Sequence, residues 1–283
     1  HVWGTASSPV IFENLVIVNC GPGLRAFWVA IDKQTGRDVW KWEPPEAKST
    51  KLDEFRGSWS TPVIDGSGDK ALMFLSMPTR LYAVEPRTGK VRWSCGGLSK
   101  LIYTSPLVTK DTVTVMCGYH GPSLAVRRGG QGDVTASHRL WLLEDRQANP
   151  QRVGSGVIVG DHIYILNETG IAWCLELKTG KKLWFRDLAT EEKAKRPHWG
   201  YAGSPEPYGE VLLYHVGAGS GGAVLALDSA SGETRWRAGD EAAGYGPPVP
   251  IVHELQRRFP TLCITIEIAT ASDGISHPGS RFI

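Results

Sequence analysis

The sequence predicts an all-β fold, a β-propeller of four-stranded antiparallel blades, and three observations carry that reading. A motif of fixed spacing recurs along the chain. Each copy has room for four short strands. Helical periodicity is nearly absent.

Residues 30–40 read AIDKQTGRDVW, 83–93 AVEPRTGKVRW, 174–184 CLELKTGKKLW and 226–236 ALDSASGETRW. In each, a small residue lies ten before a Trp, an acid eight before it and a Gly four before it. A degenerate copy, LAVRRGGQGDVTASHRLW, ends at Trp141 with about six extra residues between Ala125 and the Trp. Trp40, Trp93, Trp141, Trp184 and Trp236 are then spaced by 53, 48, 43 and 52 residues. A Ser/Thr-Pro dipeptide with an apolar run precedes most copies: SSPVIF at 7–12, STPVI at 60–64 and TSPLV at 104–108. GSPEP at 203–207, GSGVIV at 154–159 and GPPVPIV at 246–252 fill the other phases. WGTASSP at 3–9 and WGYAGSP at 199–205 share five of seven residues and lie 196 residues apart, four repeats of 49.

The first copy gives the elements in order. Pro9 to Phe12 is a short apolar strand, Asn14 a turn, Leu15 to Val18 a second strand and Phe27 to Ile31 a third. DKQTGR is a tight turn, because Gly36 tolerates positive φ; Gly89, Gly180 and Gly232 hold the same place in later copies. Asp38 to Trp42 is the fourth strand. Four strands per 43–53 residues is one propeller blade. Blades are expected at about 1–45, 57–97, 101–145, 153–188 and 199–239, with a partial sixth at 244–283, all in a single domain. Only Ala189 to Lys195 suggests a turn of helix.

The repeat Trp is read as the large rigid side chain that fills the gap between neighbouring blades. The small residue ten before it leaves room for the ring from the next blade. The acid binds turn N–H groups, as in an Asx-turn. All five Trps and the four turn glycines are therefore structural positions.

Composition narrows the function. Among 283 residues, 41% are hydrophobic and 21% charged, which excludes bulk disorder. A net charge of +2 is no footprint for nucleic acid. No apolar run reaches the length of a membrane-spanning helix. Cys20, Cys95, Cys117, Cys174 and Cys263 are scattered, with no C-x-x-C pair, and read as buried free thiols. The eight histidines show no ligand spacing, so no metal site is expected. No G-x-S-x-G elbow supports acyl transfer.

Two places are candidates for binding. Trp3, Trp59, Tyr103, Trp199 and Tyr245 precede the inner strands, with His198 and Tyr201 flanking the fourth. Such aromatics either form a ring at the channel mouth for a planar or sugar ligand, or wedge blade against blade. The insert from His120 to His138 carries Arg127, Arg128, the Gly-rich 129–132 and His138. It is either a long solvated hairpin turn or an anion cradle.

The pattern A-x-[DE]-x-x-[TS]-G-x-x-x-W, after Ser/Thr-Pro and an apolar run, resembles the PQQ-like β-propeller repeat over about residues 1–252. The family includes quinoprotein dehydrogenases, which bind pyrroloquinoline quinone. It also includes non-catalytic propellers, such as the lipoprotein of the outer-membrane β-barrel assembly machinery. The resemblance is strongest to exported bacterial propellers without assigned function, and implies a periplasmic or otherwise exported protein. Family rings have seven or eight blades, so a truncated piece of a larger ring is expected. A chain opening at His1 fits a cleaved leader, a trimmed chain or a fragment. Dehydrogenases of the family pair adjacent cysteines over the quinone, hold Ca²⁺ with Glu, Asn and Asp, and use a catalytic Asp. No two cysteines here are adjacent, and no acid carries over residue by residue. The expected function is a non-catalytic binding or scaffolding module without cofactor, meeting a protein or a small-molecule or sugar ligand. The alternative is part of a PQQ- and Ca²⁺-dependent alcohol or sugar dehydrogenase; a third reading is a carbohydrate-binding propeller.

Overall fold

The repeat predicts where strands fall, and in the computed structural model they fall there. Residues 4–24, 26–46, 56–118, 121–144, 154–217 and 223–250 are described. The first blade is β1 (Val10–Phe12), β2 (Leu15–Cys20), β3 (Phe27–Asp32) and β4 (Asp38–Trp42), paired in that order. A short β5 (Gly57–Ser58) leads into β6 (Val63–Asp65), β7 (Leu72–Met77), β8 (Arg80–Val84) and β9 (Val91–Gly96). β10 (Leu101–Ile102) pairs in parallel with β5 and leads into the third blade. That blade is β11 (Leu107–Val108), β12 (Thr112–Met116), β13 (Ser123–Arg127) and, after β14 (Gly132–Asp133) and α1 (Thr135–His138), β15 (Arg139–Leu143). The fourth is β16 (Val157–Val159), β17 (His162–Leu166), β18 (Ile171–Glu176) and β19 (Lys182–Asp187), followed by α2 (Leu188–Glu191). The fifth is β20 (Glu206–Tyr208), β21 (Val211–His215), β22 (Val224–Asp228) and β23 (Thr234–Ala238). Residues 244–250 carry no strand, and the rest of the expected sixth blade lies outside the described residues.

The chain forms two compact units, one of residues 1–153 with Leu177–Gly180, the other of 154–176 with 181–283. In the first, one core joins the first two blades through Ile17, Trp28, Met73 and Leu75. Another joins the second and third through Phe74, Trp93, Val113 and Leu124. In the second unit, Tyr164, Cys174, Leu212, Tyr214 and Leu225 join the fourth and fifth.

One register recurs in all five blades. The small residue of the motif pairs across to the Trp of its own blade: Ala30 to Trp40, Ala83 to Trp93, Ala125 to Trp141, Cys174 to Trp184 and Ala226 to Trp236. A β-bulge follows at once in every case. The small residue therefore serves its own blade, and the room for the ring comes from elsewhere. It comes from the turn glycine of the following blade. A Cβ on Gly89 would stand 2.8 Å from the Trp40 ring. The same carbon on Gly180 would meet Trp141, and on Gly232 Trp184, each at 2.9 Å. The indole N–H then donates into the same turn: Trp40 to the Pro86 carbonyl at 2.9 Å, Trp141 to Leu177 at 2.8 Å and Trp184 to Ser229 at 3.3 Å. All four turn glycines have positive φ, between 71° and 75°.

The motif acid shapes that turn. Asp32 accepts from the Gln34 and Thr35 amides, and Asp228 from those of Ala230 and Ser231, at 2.8–3.0 Å. Glu85, one carbon longer, takes the Thr88 hydroxyl and Arg92 instead. Arg235 and the Ser231 groups hold the Asp228 carboxyl down to about 2. The Ser/Thr-Pro segments tie neighbouring blades as well: the Ser7 hydroxyl donates to the Ser60 carbonyl at 2.9 Å.

The insert of the third blade is the exposed connection between the third and fourth strands that the sequence predicts, and it does more than turn. Its β14 adds in parallel to the outer edge of β9, Gly132 against Trp93 and Asp133 against Ser94. The Val134 amide donates to the Ser94 carbonyl at 2.9 Å, the Gly96 amide to the Thr135 hydroxyl at 2.8 Å, and Arg80 pairs with Asp133. The short α1 follows it, where no helix was expected.

Two outcomes follow for stability. Gly36 has positive φ but nothing within 4 Å of a Cβ, so Gly36→Ala should cost about 1 kcal/mol. Gly89→Ala, Gly180→Ala and Gly232→Ala must also displace an indole and should cost about 2–4 kcal/mol. Urea melts check this, and equal losses at all four positions would contradict the Trp-on-glycine contact. The second concerns acid. The folded pKa of Asp228 is depressed, as are those of Asp32 and Glu85, so their stabilisation is present above the ordinary carboxylate range. It is lost as pH falls from about 4 toward about 2. Asp228→Asn should flatten the fall of melting temperature over that interval.

Candidate functional site

The aromatic residues ahead of the inner strands do not share one environment. Their spacing to the motif proline explains why. Trp59 and Tyr103 lie three before Pro62 and Pro106, Tyr201 four before Pro205, and Trp199 six before it. Trp59 is 8% exposed, and its N–H donates to the Gly4 carbonyl at 2.9 Å. Its ring stacks on Tyr103 with centroids 5.1 Å apart and planes 12° apart. The parallel pairing of β5 with β10 brings these two lead-in segments together. Tyr201 is buried, its hydroxyl donating to the Val216 carbonyl at 3.1 Å. Its ring fills the space beside Gly170, where a Cβ would stand 2.7 Å away. These three residues lock lead-in segments to strands.

Trp199 and Tyr245 differ. Trp199 is 62% exposed and Tyr245 42%. The Trp199 amide donates to the Tyr245 hydroxyl at 3.3 Å, and the His198 ring meets Trp199 edge-on at 4.6 Å. A turn sets this up. The Gly200 amide closes on the Pro197 carbonyl at 2.9 Å, leaving His198 and Trp199 at the turn's tip. Gly200 has φ +80°, and a Cβ there would strike the Glu168 carbonyl at 2.7 Å. The Tyr245 segment is held close by Gly203, whose Cβ would stand 2.8 Å from the Gly246 carbonyl. The group is thus a rigid aromatic platform facing water. Trp3 lies outside the described residues.

Beyond the aromatics, the expected anion donors are in use. Arg128 pairs with Asp65 at 2.7 Å, donates to the Thr109 carbonyl at 2.7 Å and lies over the Phe74 ring. Arg127 donates to the Ser137 carbonyl at 3.1 Å, and Ser137 is bonded to His138 at 2.8 Å. Sequence reasoning passed over His215, which ends β21 and is 5% exposed. Burial pulls its pKa below the usual value, against the pull of Glu241. A single His at the end of an apolar strand gives no sequence signal for this.

Among the described residues no three His, Cys, Asp or Glu side chains cluster as metal ligands. Cys95, Cys117 and Cys174 are buried free thiols, and burial pushes Cys117 and Cys174 up to about 11. Cys263 lies outside the described residues. No helix among them is long and apolar enough to cross a membrane.

Comparison with known proteins places the fold. The family model described as outer membrane protein assembly factor BamB matches residues 25–198 and again 139–256. The structure of BamB from Moraxella catarrhalis is similar at a TM-score of 0.58 and 17% identity, over 87% of this chain and 67% of that one. Quinohemoprotein alcohol dehydrogenase ADHIIG from Pseudomonas putida HK5 is similar at 0.50 and 14%, over 94% of this chain and 47% of its own. That from Comamonas testosteroni gives 0.50 and 15%, over 82% and 42%. The chain spans less than half of either dehydrogenase. No curated protein matches it.

Exposure separates the two kinds of aromatic, and mutation should too. Trp59→Ala removes a buried, stacked and bonded ring and should cost about 3–5 kcal/mol. Trp199→Ala should stay within about 0.5 kcal/mol of wild type. Thermal melts of the two variants decide it, and a large loss at Trp199 would make that residue structural.

Proposed function

Because the chain belongs to the PQQ-like propeller family described as outer membrane protein assembly factor BamB, we propose that it is a non-catalytic binding or scaffolding module of an exported bacterial protein, with a protein partner. The observation that carries this is the Trp199 platform. The fold buries Trp28, Trp59, Trp93, Trp141 and Trp173, yet holds Trp199 at 62% exposure beside an exposed Tyr245. Tryptophan and tyrosine on a rigid turn are the residues that dominate protein recognition, since they offer large area for little lost conformational freedom. The module's work on this reading is display. Stacked blades supply a stiff frame, and the lead-in turn supplies the contact.

A photo-crosslinking amino acid in place of Trp199 or Tyr245 tests this in cells of the source bacterium. A discrete protein adduct is expected from both positions and not from Tyr208, which is 38% exposed on β20. Purified chain given PQQ and Ca²⁺ should show no dye-linked oxidation of alcohols. Turnover in that assay would move the assignment to the dehydrogenase side of the family, and identical labelling at all three positions would remove the platform.

A further inference from the structure

Every blade ends in an outer strand whose free edge presents unpaired backbone groups, and such edges attract other strands unless they are blunted. The described blades blunt them differently. On β23 the residues flanking the Trp are Arg235 and Arg237. On β4 Lys41 lies over the Phe27 ring, its ammonium 4.1 Å from the centroid. The edge of β9 is covered by β14. On β4 the other flank is Val39, 51% exposed, and on β15 the flanks are Leu140, 40% exposed, and Leu142, which packs on the core; on β19 both flanks are apolar and exposed, Leu183 at 46% and Phe185 at 66%. Among the described residues no strand pairs with that edge.

The covered edge of β9 shows what such an edge accepts. All outer strands carry the bulge just before the Trp, and β14 pairs with the two residues beyond it, Trp93 and Ser94. The next groups are also taken, the Gly96 amide by Thr135 and the Gly96 carbonyl by Arg139. The corresponding stretch of β19 is Trp184 to Asp187. Its Trp is already committed to Gly232 and the Ser229 carbonyl, and Arg186 to Glu191 and the Gly232 carbonyl at 2.6 Å. Phe185 lies on the same face as Trp173, its cross-strand partner, with no such commitment.

Charge selects the occupant. Lys182 is exposed at the start of this strand, its ammonium 4.6 Å from the Trp173 ring centroid. The Asp187 carboxylate is spent capping α2 through Thr190. A second copy adding its own β19 about a two-fold axis would run antiparallel, whereas the strand that covers the equivalent edge of β9 runs parallel. An acidic strand meets opposite charge.

We infer that the outer edge of the fourth blade is a second docking surface, which takes an extended, acidic and apolar segment of a partner protein by β-strand addition. The segment runs parallel to β19 as β14 runs to β9. Its acidic residues lie near Lys182, and an apolar side chain covers Phe185. Backbone pairing supplies affinity, and the alternate side chains supply selectivity.

The probe is a fluorescein-labelled peptide, acetyl-Asp-Glu-Val-Thr-Val-Thr-Ile-amide, read by anisotropy, with amide hydrogen exchange as the second measurement. Saturable binding is expected, together with slowed exchange within residues 184–187. Phe185→Lys should weaken binding by about tenfold or more, a loss of about 1.4 kcal/mol, without lowering the melting temperature. Trp199→Ala should leave it unchanged, which separates this surface from the Trp199 platform. Replacing the second valine of the peptide with proline should abolish binding. Binding that survives the proline, or exchange that is unaltered at 184–187, overturns the inference. So does a dimer by light scattering that Phe185→Lys dissolves, since the edge would then serve a second copy.

Discussion

The fold depends on one contact, an indole laid on the turn glycine of the next blade. Three copies are nearly superimposable in their distances: Trp40 on Gly89, Trp141 on Gly180 and Trp184 on Gly232. Each also bonds its N–H to a carbonyl of that same turn. The rest of the motif exists to make this contact possible. The glycine must be glycine twice over, for its positive φ and for the absent Cβ. The acid folds the turn so that its carbonyl faces the indole. A bulge stands just before the Trp in every described blade, and the small residue lies directly opposite the Trp. A Trp side chain buries about 150–250 Å², so each contact removes much apolar surface from water and fixes the neighbouring blade.

The third blade shows what happens when the partner turn is lost. It has no T-G turn to receive Trp93, and the Trp93 N–H is buried without a partner. An unmet buried donor costs about 1–3 kcal/mol. Yet Trp93 is 1% exposed, packed in a core with Phe74 and with Val134 of the insert, while β14 runs along its strand at Gly132. The insert thus replaces a turn-to-ring contact with a strand-to-strand one. Its bonds to Ser94, Gly96 and Arg80 hold the second and third blades together where the ordinary device is missing.

What the sequence reveals follows from what repeats. The Trp, the glycine and the acid recur at fixed offsets because a motif Trp and the next blade's turn meet in the same way wherever both are present, so blade positions and strand order are legible from spacing alone. The insert is not, because parallel pairing through Gly132 and Asp133 has neither alternation nor apolar content. The aromatics ahead of the inner strands share a phase in the repeat, which predicts a single rim. Counting to the proline separates Trp59 and Tyr103 from Trp199, and that difference decides burial. Even so, the exposure of Trp199 depends on where residues 243–246 lie, a contact made over some forty residues that no local pattern encodes.

The same constraint limits where function can be placed. The motif Trps of the first, third and fourth blades are committed to the next blade, and the Ser/Thr-Pro segments of the first two blades are tied together. Substitution there breaks the stack. Two classes of position escape. One is the lead-in turn before the proline, where Trp199 protrudes while Tyr201, two residues on, is buried. The other is the outer strand beyond its bulge, where equivalent places hold Lys41, Ser94, Leu142, Phe185 and Arg237. Of these, Ser94 pairs with β14, Leu142 packs on the core and Arg237 bonds to Glu192, which leaves Phe185 exposed on its edge as Trp199 is on its turn.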